Sequence, residues 1–584
     1  MIGPVPSDLC ILPDLLRHTA ECWPRSRHLS WREAGYWRTM STEEIQREVR
    51  RMAMGLYALK VRPGAMIGIV GASSPHWLIA DLAALSIGAV TVPMFSNLAD
   101  DHAKHEITHS RMTAMMVLGA EGWAFAARHR AHIPLIVAHG VVDHPRDVHA
   151  WSEVAAQGDQ LSEQDAGLYA RLRADVKPES LATIIFTSGS TGMPKGVELT
   201  HANLLSQVTG ALACYPLDAA SDRALSCLPL AHVFERMVSY TYLSAGVPVW
   251  FADDVRQAGS LMREVRPTVM TMVPRLVEKI YDRVAQGIDA AWVGRRALGR
   301  WALQQATDRD PDAPKPVGMR LSDGLVYQKV RAALGGKMRY LIVGGAALEP
   351  RFERFLRNIG VPVYTGYGLT EAGPVVSVNA PTARQTATVG KPFPGVELRF
   401  GANAEILVRG PGVMRGYHRD ATVTAETIDI DGWLHTGDCG RLNPDGYLII
   451  TGRIKELCKT ANGKYVSPIP IEQLLSRSQM VDQACVIADG RPYASALFFL
   501  TEELAKAHVR NGKPDAELTS ELQRVVEEAN AGLDHWQQVR RWAIVPAPAV
   551  IGRELTPTLK LRRLAVAQQY REIIDTLYRE GNSP

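Results

Sequence analysis

The chain has 584 residues, 46% hydrophobic and 22% charged, a balance that excludes a disordered tract, a collagen-like fibre and a coiled-coil rod. Lys and Arg number 65 against 61 Asp and Glu, a net charge of +4 that, spread over this length without clustering, leaves no footprint for nucleic acid. The seven cysteines (Cys10, Cys22, Cys214, Cys227, Cys439, Cys458 and Cys485) are scattered and show no CxxC spacing, which argues against a disulfide framework or a zinc site and fits a reducing, cytoplasmic compartment.

Met1 to Pro24 carries Asp8, Asp14 and Glu21 and no long apolar core, so no signal peptide is expected. Ser41 to Leu59 has apolar residues at helical spacing behind a Ser-Thr-Glu-Glu start that resembles a capping box. Ala65 to Val70 is expected to be a strand, Trp77 to Ile87 a helix, and Ala89 to Met94 a second strand. The most apolar stretch, Leu82 to Phe95, is too short to span a bilayer and is preceded by Asp81. Residues 143–179 are polar and are expected to be helix or loop. Leu181 to Phe186, Val247 to Phe251, Val269 to Val273 and Tyr340 to Val343 are expected to be buried strands of a mainly parallel sheet. Asp308 to Pro316, with three prolines and three aspartates, reads as an exposed connection. After about Pro374 the texture changes. Val389 to Leu407 and Gly446 to Gly452 alternate in short runs between turn residues, which favours a small antiparallel, barrel-like part. From Lys455 onward strands and helices mix in a length suited to a compact α+β domain.

The run Thr187-Ser188-Gly189-Ser190-Thr191-Gly192-Met193-Pro194-Lys195-Gly196 is the most informative in the chain. Its glycines let backbone N–H groups approach an anion, its hydroxyls donate to phosphate oxygens, and Lys195 brings a positive charge. Strands are expected on both sides, at Leu181 to Phe186 and at Gly196 to Thr200, so this is not a Walker A loop, which opens a helix. A flexible linker seldom follows a buried strand.

This run, extended as TSGSTGMPKGVELTHANL, closely resembles the phosphate loop of the adenylate-forming enzymes, the superfamily of acyl-CoA synthetases, peptide-synthetase adenylation domains and beetle luciferases. Four further segments match in order: YTGYGLTE (Tyr364–Glu371), GWLHTGD (Gly432–Asp438), GRIKEL (Gly452–Leu457) and TPTLKLRR (Thr556–Arg563). The resemblance spans nearly the whole chain. It implies an α/β fold: a large N-terminal domain over 1–454, built of parallel-sheet subdomains and a barrel-like part at about 375–454, and a smaller mobile C-terminal α+β domain over 455–584. It also implies attack of a carboxylate on the ATP α-phosphate, giving an acyl-adenylate and pyrophosphate, then thioester formation with coenzyme A and release of AMP. The protein's task in such a transfer is to position groups and neutralise charge.

Residue by residue, the resemblance assigns the nucleotide to Thr187, Ser188, Gly189, Ser190, Thr191, Gly192, Lys195, Gly345, Ala346, Tyr367, Gly368, Thr370, Asp438, Arg453 and Lys560. Glu371 is a hard oxygen ligand suited to Mg²⁺, with Thr187 near the metal. Thr370 would donate to the α-phosphate, Asp438 and Arg453 would hold the ribose, and Lys560 would bridge acyl carboxylate, phosphate and ribose oxygen. By the same resemblance Lys455 would be the hinge, and Lys459 to Gly463 would border the coenzyme A path. Taken alone, Glu371 reads as a surface carboxylate and Lys560 as a solvated lysine, while for Asp438 a turn residue is the lesser alternative. Cys439 and Cys458 read as small core residues, because an external thiol does the displacement.

Leu228 to Arg236, LPLAHVFER, resembles the corresponding segment of long-chain fatty acyl-CoA synthetases, as do Lys459 to Pro468 and the TPTLKLRR ending. His232 would then sit near the acyl carboxylate, although a packed core histidine reads equally well. Val233, Phe234 and Met237 suit either an apolar tunnel or plain core. Each buried methylene is worth about 0.8 kcal/mol, so a long acyl chain binds without polar contacts. The expected substrates are a long- or medium-chain fatty acid, ATP and coenzyme A. Three alternatives stay open: an acyl-AMP ligase that loads a carrier protein, a catalytically inactive adenylate-binding scaffold, and a luciferase-like oxygenase. No carrier domain and no N-terminal membrane anchor are found, so any membrane contact is expected to be peripheral. The sequence sets no oligomeric state. Val545 to Val550 is richer in proline than the resemblance leads one to expect ahead of Lys560.

Overall fold

The computed structural model describes residues 9–141, 144–187, 193–314, 319, 322–454, 457–462, 464–476, 478, 480–510, 513–545, 547–550, 552–555 and 561–579. The chain divides into two compact units. The first comprises residues 1–399, 407–436 and 442–449, and the second residues 400–406, 437–441 and 450–584.

Two large sheets organise the first unit. One has nine strands, in spatial order Lys391–Pro392, Val375–Val378, Val363–Gly368, Tyr340–Val343, Val269–Met272, Ala224–Ser226, Val249–Phe251, Leu29–Glu33 and Tyr36–Met40. Its central strands, from Val363–Gly368 through Leu29–Glu33, run parallel. The other sheet has eight strands: Gly416–Tyr417, Lys195–Thr200, Leu181–Thr187, Val90–Met94, Met66–Gly71, Ala114–Leu118, Ile136–His139 and His149–Ala150. Here Lys195–Thr200 pairs antiparallel with Leu181–Thr187, and Gly416–Tyr417 antiparallel with Lys195–Thr200. The departure from an all-parallel sheet follows from loop length. Too few residues separate Thr187 from Lys195 for a crossover connection, so the chain must return as a hairpin.

Helix α1 (Thr42–Ala58) starts at a capping box in which Ser41 and Glu44 exchange side-chain-to-backbone hydrogen bonds, as its sequence predicts. Helix α2 (Pro75–Ser86) is buried all round, Asp81 included, and Val90–Met94 follows as a fully buried strand. Residues 143–179 contain the helices Trp151–Gln164 and Leu168–Asp175. Helix α3 (Asp100–His109) lies in the eight-stranded half. Helix α4 (Val233–Ser244) is buried along its length, and α5 (Pro274–Asp289) and α6 (Val293–Asp308) follow as surface helices. Four strands, Glu397–Phe400, Glu405–Arg409, Leu434–Leu442 and Leu448–Arg453, occupy the segment read as barrel-like.

The second unit is α+β. A three-stranded sheet, Gln483–Ile487, Ala494–Phe499 and Val539–Val545, has one antiparallel and one parallel pairing. One apolar cluster gathers Val486, Phe498, Leu518 and Leu522, and another gathers Cys485, Leu497, Phe499 and Val566. Alternate residues of the same strands supply the two clusters, as the two-residue repeat of a strand requires. Among the described residues, no helix is long and apolar enough to cross a membrane.

Candidate active site

Three parallel strands of the nine-stranded sheet lead to the residues singled out from sequence. Ala224–Ser226 leads through Leu228 to His232, Tyr340–Val343 leads to Gly345 and Ala346, and Val363–Gly368 leads to Thr370 and Glu371. The carboxyl edge of such a sheet is where open α/β folds hold ligands. Gly345 takes φ +83° and, with Ala346, is exposed. Phe234 packs on Gly344, where an added Cβ would come within 3.3 Å of its ring. At Gly368 the approach is tighter still, because a Cβ there would lie 1.9 Å from the carbonyl oxygen of Pro374. No side chain fits that turn, and Tyr367, Thr370 and Glu371 are delivered on either side of it.

The phosphate-loop hairpin is held at both ends. Thr187 and Lys195 are ladder partners, the last rung of the hairpin. Ser188, Gly189, Ser190, Thr191 and Gly192 lie outside the described residues. The Lys195 ammonium sits 5.3 Å from the centroid of the Tyr417 ring, and the Tyr417 hydroxyl donates to Glu371 Oε1 at 2.9 Å. The structure therefore brings Thr187, Lys195 and Glu371 together, with Tyr417 as the link. Burial, reinforced by the neighbouring Glu371 carboxylate, pushes the Tyr417 phenol well above its ordinary range, so it stays a donor. Among the described residues no group of three or more His, Cys, Asp or Glu can hold a metal. Glu371 with the Thr187 hydroxyl suits a cation that arrives with its own phosphate oxygens, the usual manner of Mg²⁺.

His232 is not a packed core residue. It is exposed at the N-cap of α4, where its Nδ1 accepts from the Phe234 N–H at 3.3 Å. Val233 and Met237 are buried. The next two residues do something that the motif does not announce. Glu235 turns into the nine-stranded sheet and accepts from the hydroxyls of Ser226, at 2.5 Å, and Thr271, and burial pushes its carboxyl up to about 7. Arg236 turns the opposite way. Its Nε and Nη2 donate to Asp81 of α2 at 3.0 and 2.5 Å, and its Nη1 and Nη2 donate to Thr183 and Thr91 of the eight-stranded sheet, both at 2.8 Å. Tyr240 also donates to Asp81. Consecutive residues of α4 thus fasten it to both sheets of the first unit.

In the second unit Asp438 is buried, and Arg453 Nε donates to its Oδ1 at 2.7 Å. The two residues expected at a ribose are therefore direct partners of each other. Lys459 is exposed, its ammonium 5.8 Å from the ring of Tyr465. Lys455, Gly463 and Lys560 lie outside the described residues. The flanks of the lysine motif are ordered by a bridge between Leu555 and Leu561, by the Arg562 N–H donating to the Glu554 carbonyl at 2.7 Å, and by Arg563, which pairs with Glu472 and donates to the Val486 carbonyl at 2.8 Å. Cys439 and Cys458 are buried, and burial raises both thiols, in keeping with core residues.

The family model described as "AMP-binding enzyme" matches residues 16–418, and that described as "AMP-binding enzyme C-terminal domain" matches residues 456–582. A long-chain-fatty-acid–CoA ligase of Mycobacterium bovis, FadD15, is 35% identical over 575 residues that cover 93% of each chain. Long-chain-fatty-acid–CoA ligase 6 of Rattus norvegicus is 30% identical over 92% of this chain and 82% of its own. Among solved structures, the A domain of a carboxylic acid reductase from Segniliparus rugosus, in complex with AMP and a co-purified carboxylic acid, superposes with a TM-score of 0.73 at 21% identity, covering 98% and 95% of the two chains. The anthranilate CoA ligase AuaEII, in complex with anthranoyl-AMP, gives 0.70 at 18% identity and covers 97% and 98%.

Proposed function

This chain belongs to the AMP-binding enzyme family, and from that premise we propose that it is an AMP-forming long-chain fatty-acid–CoA ligase. The observation that carries the reading is the alignment of Lys195, Tyr417 and Glu371 where the hairpin meets the carboxyl edge of the parallel sheet. A cation and a carboxylate held across one ring suit a polyphosphate and the Mg²⁺ that travels with it. In this reading residues 187–195 take the β- and γ-phosphates, and Thr370 donates to the α-phosphate. Gly345, Ala346, Tyr367 and Gly368 line the adenylate, and Asp438 with Arg453 serves the ribose. Lys560 supplies charge during adenylation, Lys455 is the hinge, and the segment from Lys459 to Gly463 borders the entry of coenzyme A. His232, exposed at the head of α4, faces the acyl carboxylate, and the apolar residues behind it suit an acyl chain.

The test is pyrophosphate release with ATP, Mg²⁺ and fatty acids from short to long, with and without coenzyme A. Acid-dependent release yielding AMP and acyl-CoA is expected. Release that stops after one turnover despite coenzyme A would move the acceptor to a carrier protein, and no release with any acid would overturn the ligase reading.

The seven scattered, free thiols accord with a cytoplasmic setting, and α6 supports peripheral contact with a membrane. Trp292, Val293 and Trp301 are 66%, 76% and 39% exposed. Val293, Ala297 and Trp301 recur at a spacing of four along one exposed face, beside Arg296 and Arg300, and the Arg295 guanidinium lies 6.0 Å from the Trp292 ring. Exposed aromatic rings among arginines match an anionic headgroup layer. The protein should co-sediment with phosphatidylglycerol vesicles, and the pair Trp292→Ser/Trp301→Ser should not. Equal sedimentation of the two proteins would remove this face from the reading.

A further inference from the structure

Against the phosphate-loop hairpin stands a group of histidines with no part in the scheme above. His105 and His109 lie four residues apart on α3, so they share one face. Their rings stack with centroids 5.0 Å apart and planes at 22°, and both meet the edge of Phe186, the residue before Thr187, at 6.1 Å. His105 Nε2 is 3.0 Å from the carbonyl oxygen of Pro194, and His109 Nε2 is 2.9 Å from that of His418. A carbonyl only accepts, so both nitrogens carry protons and donate, as either the neutral Nε2–H tautomer or the imidazolium. His418 in turn places its backbone N–H 2.7 Å from the Gly196 carbonyl and its Nδ1 2.7 Å from Glu198 Oε1.

The carbonyls of Pro194 and Gly196, the neighbours of Lys195, are thus both held, that of Pro194 by an imidazole and that of Gly196 by the backbone of His418. An added Cβ at Gly196 would fall 2.7 Å from Ile184 and 3.3 Å from His418, so this position of the strand has no room for a side chain. The peptide at Pro194 is the last before Lys195, and proline has no N–H with which to join the sheet ladder. The His105 bond is the one that the described structure gives to this carbonyl.

We infer that His105 is a positioning residue for ATP: its Nε2–H fixes the Pro194 carbonyl and through it sets the direction in which Lys195 leaves the hairpin. It touches neither nucleotide nor acid. The inference rests on the phosphate-loop reading of residues 187–195.

Two variants test it. His105→Phe keeps the aromatic contacts with His109 and Phe186 and removes the donor. His105→Gln keeps a donor of similar reach. His105→Phe should raise KM for ATP about five-fold, the change that corresponds to one neutral hydrogen bond. KM for the fatty acid should be unchanged, and His105→Gln should recover most of the loss. Amide exchange of residues 193–197, followed by mass spectrometry in the absence of ATP, should quicken in His105→Phe and not in His105→Gln. A structural role alone would move both KM values or the melting temperature. An unchanged KM for ATP in a folded His105→Phe protein, or a His105→Gln protein as impaired as His105→Phe, would overturn the inference. If His105→Phe does not fold, His105→Gln decides with the exchange measurement, where quickened exchange would be the contrary result. Failure of the wild-type protein to release pyrophosphate from ATP would instead remove the phosphate-loop reading itself.

Discussion

Glu371 is oriented by one phenol. Tyr417 donates to it at 2.9 Å and offers its ring face to Lys195, so a single side chain sets the separation of a cation and an anion. Tyr417→Phe keeps the ring and removes the donor. It should lower kcat/KM for ATP about ten-fold, the scale of a hydrogen bond to a charged acceptor, with little change in melting temperature. Steady-state kinetics at saturating fatty acid would show it, and an unaltered kcat/KM would mean that something else orients Glu371. Lys560→Ala should abolish adenylation while leaving thioester formation from a supplied acyl-adenylate largely intact. Equal loss of both half-reactions, each assayed separately, would contradict the role proposed for this lysine. The residues with motif neighbours, Lys195, Glu371 and Asp438, were legible in the sequence. Tyr417 was not: it stands 46 residues beyond Glu371, in a run not singled out from sequence, and the pairing of Gly416–Tyr417 with the hairpin brings it there.

At the scale of the element, α4 is the helix whose placement matters most. Glu235 commits it to one sheet and Arg236 to the other. Arg236 and Asp81 are 1% and 0% exposed at their side chains, and a buried charge left without its partner costs far more than the pair contributes. Arg236→Met alone should therefore destabilise the first unit by about 3–5 kcal/mol. Asp81→Leu/Arg236→Met should cost much less than the sum of the single changes, as read from urea unfolding of all three variants. Strict additivity would show that the two groups do not depend on each other. The helices and strands themselves were legible, since α1, α2, Val90–Met94 and Leu181–Thr187 follow their apolar periods and caps. The antiparallel return after Thr187 was available from loop length but masked by the parallel pattern around it. Asp81 was noticed in the sequence only as a reason that its stretch does not cross a bilayer. An aspartate inside a helix otherwise apolar on every side needs a partner, yet that partner lies 155 residues away, beyond any local pattern.

Across the whole molecule, buried titratable groups shape the response to pH. Burial pushes Glu235 and Glu353 up to about 7 and Glu106 to about 8, and it pulls His28, His76 and His201 down to about 3. The folded chain keeps three protons that the unfolded chain sheds above about pH 4.5, and it refuses three that the unfolded chain takes up below about pH 6.5. Between those values the two sets oppose each other. Above about pH 6.5 only the glutamates act, and stability falls until about pH 8; below about pH 4.5 only the histidines act, and stability falls as the pH drops. Glu106→Gln, neutral at every pH, should flatten the fall in the urea midpoint between pH 6.5 and 8.5, and an identical slope would show that Glu106 is not a source of it. The order of the motifs was visible in the chain, but the resemblance put Asp438 and Arg453 in a domain over 1–454, whereas residues 400–406, 437–441 and 450–454 pack with the second unit; the protonation states depend on burial that no local run of residues discloses. The network of Asp81, Thr91, Thr183, Arg236 and Tyr240 also bears on how such chains are spliced. A crossover that takes the first 150 residues from one parent and the next 150 from another separates Asp81 and Thr91 from Arg236 and Tyr240. Unless both parents carry the same set, the offspring inherits half a lock. Shuffled libraries built on this chain should therefore be depleted of junctions between residues 81 and 240, and the survivors should come from parents that match at all five positions.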